Sequence, residues 1–204
     1  MKRNLFALTL IALMIFTSCN TPKPVKTIEN LKAGIIGETT ASNKYLAFAE
    51  KAKAEGLDTI AKLFEATSKA EAIHAANHTK VLESLGAKMD AFTPQFEVKT
   101  TAENLQAAID GETYEETTMY PGFLEAAKTE KVSKATKSFN WAFDTEMKHK
   151  EFYNKALSAL KTHSTGSLSF GYAVCPVCGN TFESAKVDAM CAFCGAPKMK
   201  YIQI

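Results

Sequence analysis

Glutamate and histidine recur at one fixed spacing in two distant parts of the sequence. Glu71-x-x-His74 and Glu146-x-x-His149 each place a carboxylate three residues before an imidazole. Residues three apart lie on the same face of a helix, so each pair could bind one metal ion. Imidazole and carboxylate ligands suit iron, manganese or zinc, and the ligand types alone do not choose among these metals.

The two motifs belong to an internal repeat. Segments 31–39 and 105–113 share Leu, Ala, Ile, Gly, Glu and Thr at the same places, 74 residues apart. Three later residues recur after 75 residues: Phe64, Glu71 and His74 return as Phe139, Glu146 and His149. The repeat predicts a duplicated helical hairpin, and two such hairpins packed face to face make a four-helix bundle.

The repeated segments add further carboxylates. Glu38 and Glu112 occupy matching places in the other helix of each hairpin, and Glu115 follows Glu112 by about one turn. A Glu from each of two helices, with Glu-x-x-His from each of the other two, is the ligand set of di-iron and di-manganese carboxylate proteins. A lone Glu-x-x-His usually lies on a solvated helix face, but its duplication beside repeat-matched Gly-Glu pairs favours a metal site. Two divalent cations would nearly balance these carboxylates, which would be costly to bury unpaired.

Glu115 breaks the symmetry of the repeat. It corresponds to Ala41 in the first hairpin, so one side of the site has an extra carboxylate. We hypothesise that a metal ion there exchanges His74 for Glu115 as its charge changes, because a more oxidised ion prefers oxygen ligands.

Apolar residues at three- and four-residue spacing predict four helices between residues 27 and 162. The first is expected to end before Gly56, the second to be capped by Asp58 and to end before Gly86, and the third to open on a capping box of Thr100 and Glu103. Pro121 should kink or break the third helix. The expected helices cover residues 27–55, 58–85, 100–128 and 132–162, with an irregular connection at 87–99.

Four cysteines form two C-x-x-C pairs near the C-terminus, separated by 12 residues: Cys175, Cys178, Cys191 and Cys194. This spacing predicts one tetrahedral metal ion bound by four thiolates, in preference to a disulfide framework. Zinc would make the module structural, whereas iron would make it a one-electron carrier. Residues 164–171 are predicted to be a linker, and residues 172–204 a separate, mobile module.

The N-terminus is predicted to be an export signal. Lys2 and Arg3 precede an apolar run over residues 5–16 that is too short to span a bilayer. Cys19 follows small residues, as in a bacterial lipoprotein signal, which predicts cleavage after residue 18, lipidation of Cys19 and a tether over residues 19–26. The protein would then be exported and anchored to a bacterial membrane, on its periplasmic or cell-surface side. The alternative is an ordinary cleaved signal with an incidental cysteine.

The overall composition fits this organisation. Hydrophobic residues make up 46% and charged residues 23%, as in soluble globular proteins. The net charge of +2 argues against a nucleic-acid-binding protein, which would need a strong basic excess.

Taken together, the carboxylate and cysteine motifs resemble the rubrerythrin family over residues 27–204. The fold implied is an all-α ferritin-like four-helix bundle at 27–163, followed by a small C-terminal rubredoxin-like domain. By this resemblance, seven residues would bind a di-iron centre: Glu38, Glu71, His74, Glu112, Glu115, Glu146 and His149. The four cysteines would bind one further iron. Tyr45 and Tyr120, the latter within Met119-Tyr120-Pro121, match the family's tyrosines beside the di-iron centre.

The resemblance implies reduction of hydrogen peroxide to water, with electrons passed through the rubredoxin-like iron from a donor such as a reductase or rubredoxin. It also implies a homodimer in which the rubredoxin domain of one subunit lies near the di-iron site of the other. Export departs from the family pattern, which is typically cytoplasmic. Two alternatives remain, a ferroxidase or other iron-handling protein and a lipid-anchored metal-binding protein with a structural zinc ribbon.

Overall fold

The computed structural model describes residues 23–204, so the predicted signal and Cys19 lie outside the described residues. Five α-helices form a four-helix bundle, because α3 and α4 together make its third rod. No helix of the described part of the chain is long and apolar enough to cross a membrane. The helices are α1 (Val25–Ala54), α2 (Asp58–Ser84), α3 (Thr101–Tyr114), α4 (Tyr120–Thr129) and α5 (Ser133–Lys161).

Most predicted helix boundaries are confirmed to within two residues. Gly56 and Gly86 follow the ends of α1 and α2 with φ angles of +74° and +73°, a conformation that favours glycine. Thr100 and Glu103 form the predicted capping box. The predicted cap at Asp58 is wrong, since Asp58 is the first helical residue and the cap position is Leu57.

The third rod continues past Pro121 through a π-helical segment and is not broken there. Residues Glu115–Met119 are π-helical, and α4 continues directly with Pro121 in its first turn. Tyr45 follows Glu38 by seven residues, whereas Tyr120 follows Glu112 by eight. The second hairpin therefore has one extra residue between its glutamate and its tyrosine, and the wider π-helical turn accommodates it.

Two apolar clusters form the core of the bundle. Phe64 and Phe139, which are equivalent in the repeat, are both fully buried, one in each cluster. Tyr45 belongs to the cluster of Phe64, and Tyr120 to the cluster of Phe139. The duplication in the sequence is thus matched by a duplication in the packing.

The C-terminal module is a small antiparallel sheet that packs against the bundle. Its strands are β1 (Tyr172–Val174), β2 (Thr181–Glu183) and β3 (Ile202–Gln203), with β1 in the middle.

The connection to this module also contacts the bundle. Leu168 is buried in the first core cluster, and the ring centroid of Tyr172 lies 5.7 Å from that of Phe152 on α5. Leu168, within the segment predicted as a linker, and Tyr172, at the start of the module, therefore both make apolar contacts with the bundle.

Candidate metal centres

Helices α1, α2, α3 and α5 bring six of the seven predicted ligands together at two adjacent points. At each point, the possible ligand atoms all lie within 4.8 Å of one another. Glu71 and Glu146 belong to both groups, so their carboxylates could bridge two metal ions. The first group is Glu38, Glu71, His74 and Glu146, and the second is Glu71, Glu112, Glu146 and His149.

The histidine contacts follow the two-fold symmetry of the repeat. His74 Nδ1 lies 2.8 Å from Glu71 Oε2 and 3.1 Å from Glu146 Oε1. His149 Nδ1 lies 2.9 Å from Glu71 Oε1 and 3.1 Å from Glu146 Oε2. Each imidazole thus faces both of the shared carboxylates.

The polar atoms of this site fit a pair of cations. Within residues 23–204, eight buried side-chain nitrogen or oxygen atoms lack a hydrogen bond of acceptable geometry, including Glu71 Oε1 and His149 Nδ1, which lie 2.9 Å apart. Six of the eight belong to this site: Glu38 Oε2, Glu71 Oε1, Glu112 Oε2, both carboxylate oxygens of Glu146, and His149 Nδ1. Buried polar groups are rarely left unpaired, and lone pairs that converge on one point are what a metal ion requires.

Burial and mutual repulsion shift the pKa values of the carboxyls in this site. Burial raises the pKa of Glu38 to about 7, and it raises the pKa of Glu112 and Glu146 well above the ordinary range, with Glu71 adding repulsion. Burial acts in the same direction on Glu71, but the attraction of His149 and His74 outweighs it and lowers that pKa. A bound cation would replace these protons with positive charge.

Glu115 is placed differently from the other predicted ligands. It is the first residue of the π-helical segment, it is half-buried, and it belongs to neither ligand group. His74 belongs to the first group. The hypothesised exchange of His74 for Glu115 stays a prediction.

The two predicted tyrosines each contact a carboxylate of the opposite hairpin. Tyr45 donates a hydrogen bond of 2.7 Å to Glu112, and Tyr120 donates to Glu38. Burial, together with the neighbouring carboxylates, raises the pKa of both phenols well above its ordinary value. Both hydroxyls therefore keep their protons and remain hydrogen-bond donors.

His78 is a buried residue of the site that sequence reasoning missed. Its Nδ1 lies 2.7 Å from Ser138 Oγ, and its Nε2 lies 3.1 Å from the hydroxyl of Tyr120. Burial, with repulsion from His74, lowers the pKa of His78 to about 3, so the imidazole is neutral. A Cβ at Gly34 would lie 3.0 Å from the ring of His78, which explains a small residue there. The spacing of four residues from His74 on one helix could have indicated it.

The four predicted cysteines come together in the C-terminal module. All are free, and their sulfur atoms lie within 4.8 Å of one another. Gly179 and Gly195, which follow the two pairs, have φ angles of +84° and +73° and close matching turns. Cys194 is the partly exposed member of the set, and the other three are buried. Four converging thiols suit one tetrahedral metal ion, either zinc or iron.

The module closes directly over the outer nitrogens of both histidines. His74 Nε2 lies 3.1 Å from the carbonyl oxygen of Cys178, and His149 Nε2 lies 3.0 Å from Thr181 Oγ1. A Cβ at position 179 would clash with the imidazole of His74, so only glycine allows this approach. The outer hydrogen-bond partner of a metal-binding histidine fixes its tautomer and ring orientation.

Known proteins are similar to this chain over most of its length. The sequence profile of the rubrerythrin family matches residues 29–157. Rubrerythrin-2 of Clostridium acetobutylicum is 32% identical over 88% of this chain and 97% of its own length. Nigerythrin of Nitratidesulfovibrio vulgaris is 38% identical over 84% of this chain and 83% of its own length.

Solved structures give the same result. The fully reduced, all-ferrous state of nigerythrin superimposes with a TM-score of 0.78 at 33% identity, covering 87% of this chain and 86% of that one. An open-pore ferritin from Archaeoglobus fulgidus, 17% identical with a TM-score of 0.58 over 67% of this chain and 86% of that one, shares the fold alone. The predicted fold class is thereby confirmed, and the chain belongs to the rubrerythrin family.

Proposed function

We propose that this protein is a non-haem di-iron peroxidase that reduces hydrogen peroxide to water and protects against oxidative stress. The reaction consumes one peroxide, two protons and two electrons and yields two water molecules. The observation that carries the proposal is the 3.1 Å contact between His74 Nε2 and the carbonyl oxygen of Cys178. It joins a site suited to two metal ions to a site suited to a one-electron carrier.

The carboxylates and imidazoles are assigned to iron because the related nigerythrin has an all-ferrous state. Glu71 and Glu146 would bridge the two ions, Glu38 and His74 would complete one site, and Glu112 and His149 the other, with Glu115 available nearby. When bound, a ferrous pair would supply the two electrons that cleave the oxygen–oxygen bond.

The surrounding residues of the chain orient the ligands and control protons. Tyr45 and Tyr120 each hold one carboxylate oxygen by donating to it, which leaves the second oxygen of Glu112 and Glu38 directed at the cation site. Burial of the site excludes bulk water, which strengthens every charge interaction inside it. His78 contacts the hydroxyl of Tyr120 through Nε2, which also lies 3.9 Å from Glu38 Oε1, and its imidazole stays neutral at physiological pH.

The four-cysteine module favours the peroxidase over the alternatives. A ferroxidase takes electrons from its substrate iron and would have no use for a fused electron carrier. A structural zinc ribbon could stabilise itself without contacting the carboxylate site. Here the module supplies hydrogen-bond partners to both histidines, which is the placement expected of an electron donor.

We further propose that the protein is exported and held at a bacterial membrane by lipidation of Cys19, and that it acts as a homodimer. The contact described above joins the module and the bundle of a single chain. An exchange of modules between two subunits would keep the same surfaces in contact. A reductase or a rubredoxin would deliver the electrons.

Steady-state assays with matched variants test the proposal. Anaerobically purified protein should contain iron at the four cysteines and should consume peroxide when a one-electron donor is supplied. Cys191→Ser should lose this turnover while the carboxylate site still binds iron, and Ser184→Ala, a change in the same module away from the cysteines, should keep it. Zinc at the four cysteines, or equal turnover by Cys191→Ser, would contradict the proposed electron path.

A further inference from the structure

Lys148 lies on α5 between two of the predicted di-metal ligands, yet its side chain points to the other centre. Its ammonium donates a hydrogen bond of 2.7 Å to Asn180 Oδ1 in the cysteine module. The amide of Asn180 in turn donates to Cys191 Sγ at 3.5 Å. One positive charge is thus connected through one side chain to a metal-binding sulfur.

The surroundings of Lys148 keep its ammonium in this position. The nitrogen lies 4.6 Å from the ring centroid of Phe182 and 5.0 Å from that of Phe193, both in the module. Aromatic faces attract cations, and the attraction increases when water is excluded. Asn180 is fully buried, so water does not compete for the hydrogen bonds of its amide.

Burial lowers the pKa of Lys148 below its ordinary value, although the sulfurs of Cys191 and Cys178 and the carboxylates of Asp188 and Glu151 act in the opposite direction. Asp144, one turn earlier on α5, is a further acidic neighbour. Among residues 23–204, the partner within hydrogen-bond distance of the ammonium is an amide and not a carboxylate. Its charge is therefore left to act on the sulfur site.

We propose that Lys148, acting through Asn180, raises the reduction potential of the iron bound by the four cysteines. Four thiolates and a ferric ion have a net charge of −1, and uptake of one electron from the donor makes it −2. A nearby ammonium stabilises the more negative state, and a hydrogen bond to sulfur does the same by withdrawing electron density. Lys148 is thus a positioning residue for electron entry, and this role rests on the proposed function.

The test measures the reduction potential of the four-cysteine iron in the full-length protein by titrating its visible ferric–thiolate absorption. Lys148→Gln should shift the equilibrium constant for one-electron reduction by about tenfold toward the ferric state. Lys155→Gln is the matched control, because Lys155 also lies on α5 and contacts the module, 2.9 Å from Glu183. The control should leave the potential unchanged. An unchanged potential in Lys148→Gln, or an equal shift in both variants, would overturn the inference.

A double variant tests whether the charge of Lys148 acts on the sulfur through the amide of Asn180. If Lys148 acts through Asn180, adding Asn180→Ala to Lys148→Gln should shift the potential by less than the sum of the two single changes. Full additivity would show that the amide is not the link. Should Asn180→Ala fail to bind iron, the comparison of the two lysine variants still decides the question.

The result is separable from the proposed function. Zinc at the four cysteines of the purified protein would contradict the peroxidase proposal. Such protein can be reloaded with iron in vitro, and the effect of Lys148 on the potential is then measured in the same way.

Discussion

Tyr45 on α1 donates a 2.7 Å hydrogen bond to Glu112 on α3, and thereby ties the first hairpin to the second at the candidate di-metal site. Tyr120 makes the equivalent contact in the other direction, by donating a hydrogen bond to Glu38 on α1. The two hydroxyls cross the approximate two-fold axis in opposite directions. The extra residue between Glu112 and Tyr120 is accommodated by the π-helical segment, which brings Tyr120 to the place that the symmetry requires.

Replacement of Tyr120 by phenylalanine should weaken the bundle and leave the metal ligands in place. Tyr120→Phe removes the donor to Glu38 and the partner of His78, which should lower the free energy of unfolding by about 1–2 kcal/mol. Denaturant titration measures the free energy of unfolding, and iron analysis measures whether the metal ligands still bind iron. Tyr114→Phe is the control, since Tyr114 is 57% exposed and should change neither quantity. Equal stability of the Tyr120→Phe and Tyr114→Phe variants would count against the role given to this hydroxyl.

The two centres should bind their metals independently. Glu71→Ala or Glu146→Ala should abolish iron binding at the carboxylate site, because each removes a carboxylate shared by both ligand groups. The metal held by the four cysteines should be unaffected, and Cys191→Ser should do the reverse. Metal analysis of the purified variants measures this.

Glu151→Ala provides the control for these variants, since Glu151 is an exposed glutamate on the same helix as Glu146. It should retain both metals. Loss of both metals in any one of the glutamate or cysteine variants would refute independent binding.

Loss of the hydroxyl of Thr181 should weaken the carboxylate site from the module side. Thr181→Val keeps the side-chain shape but removes the 3.0 Å partner of His149 Nε2. Loss of such an outer partner should lower iron affinity about tenfold to hundredfold. Competition with a chelator measures the affinity, and Thr162→Val at an exposed position should match the wild type. Unchanged affinity in Thr181→Val would show that the module does not orient this imidazole.

The repeated phenylalanines should carry much of the stability of the core. Phe139→Ala should lower the free energy of unfolding by about 3–5 kcal/mol, because Phe139 is fully buried and truncation leaves a cavity. Phe170→Ala, at a side chain that is 75% exposed, should change it little. Denaturant unfolding of the two variants, with the same metal content, measures both changes. Similar decreases in the free energy of unfolding would contradict the burial of Phe139 in the core.

The internal repeat made much of the fold and the site predictable. Matched Gly-Glu pairs and duplicated Glu-x-x-His motifs are local patterns, and symmetry then requires their side chains to meet. The π-helical segment was missed, although the change of offset between Glu38–Glu112 and Tyr45–Tyr120 indicates one inserted residue. The cap at Asp58 was misplaced because the carbonyl of Leu57 already accepts from Ile60 and Ala61, which starts the helix one residue earlier than the side chain suggested.

Contacts between the bundle and the module could not be predicted from local patterns. Lys148 lies among polar residues and has the sequence context of a solvated helix face. Asn180 and Thr181 follow a cysteine turn, where polar residues are common. Their roles appear only when the module packs on α2 and α5, because that packing is set by three-dimensional shape and not by spacing along the chain.

In the proposed function, electrons pass through the four-cysteine iron to a di-iron site that reacts with peroxide. The most direct test is a single-turnover experiment in which the protein is fully reduced without oxygen and mixed with stoichiometric hydrogen peroxide. We expect rapid return of the ferric–thiolate absorption together with oxidation of the di-iron centre. Reoxidation by oxygen but not by peroxide would contradict it.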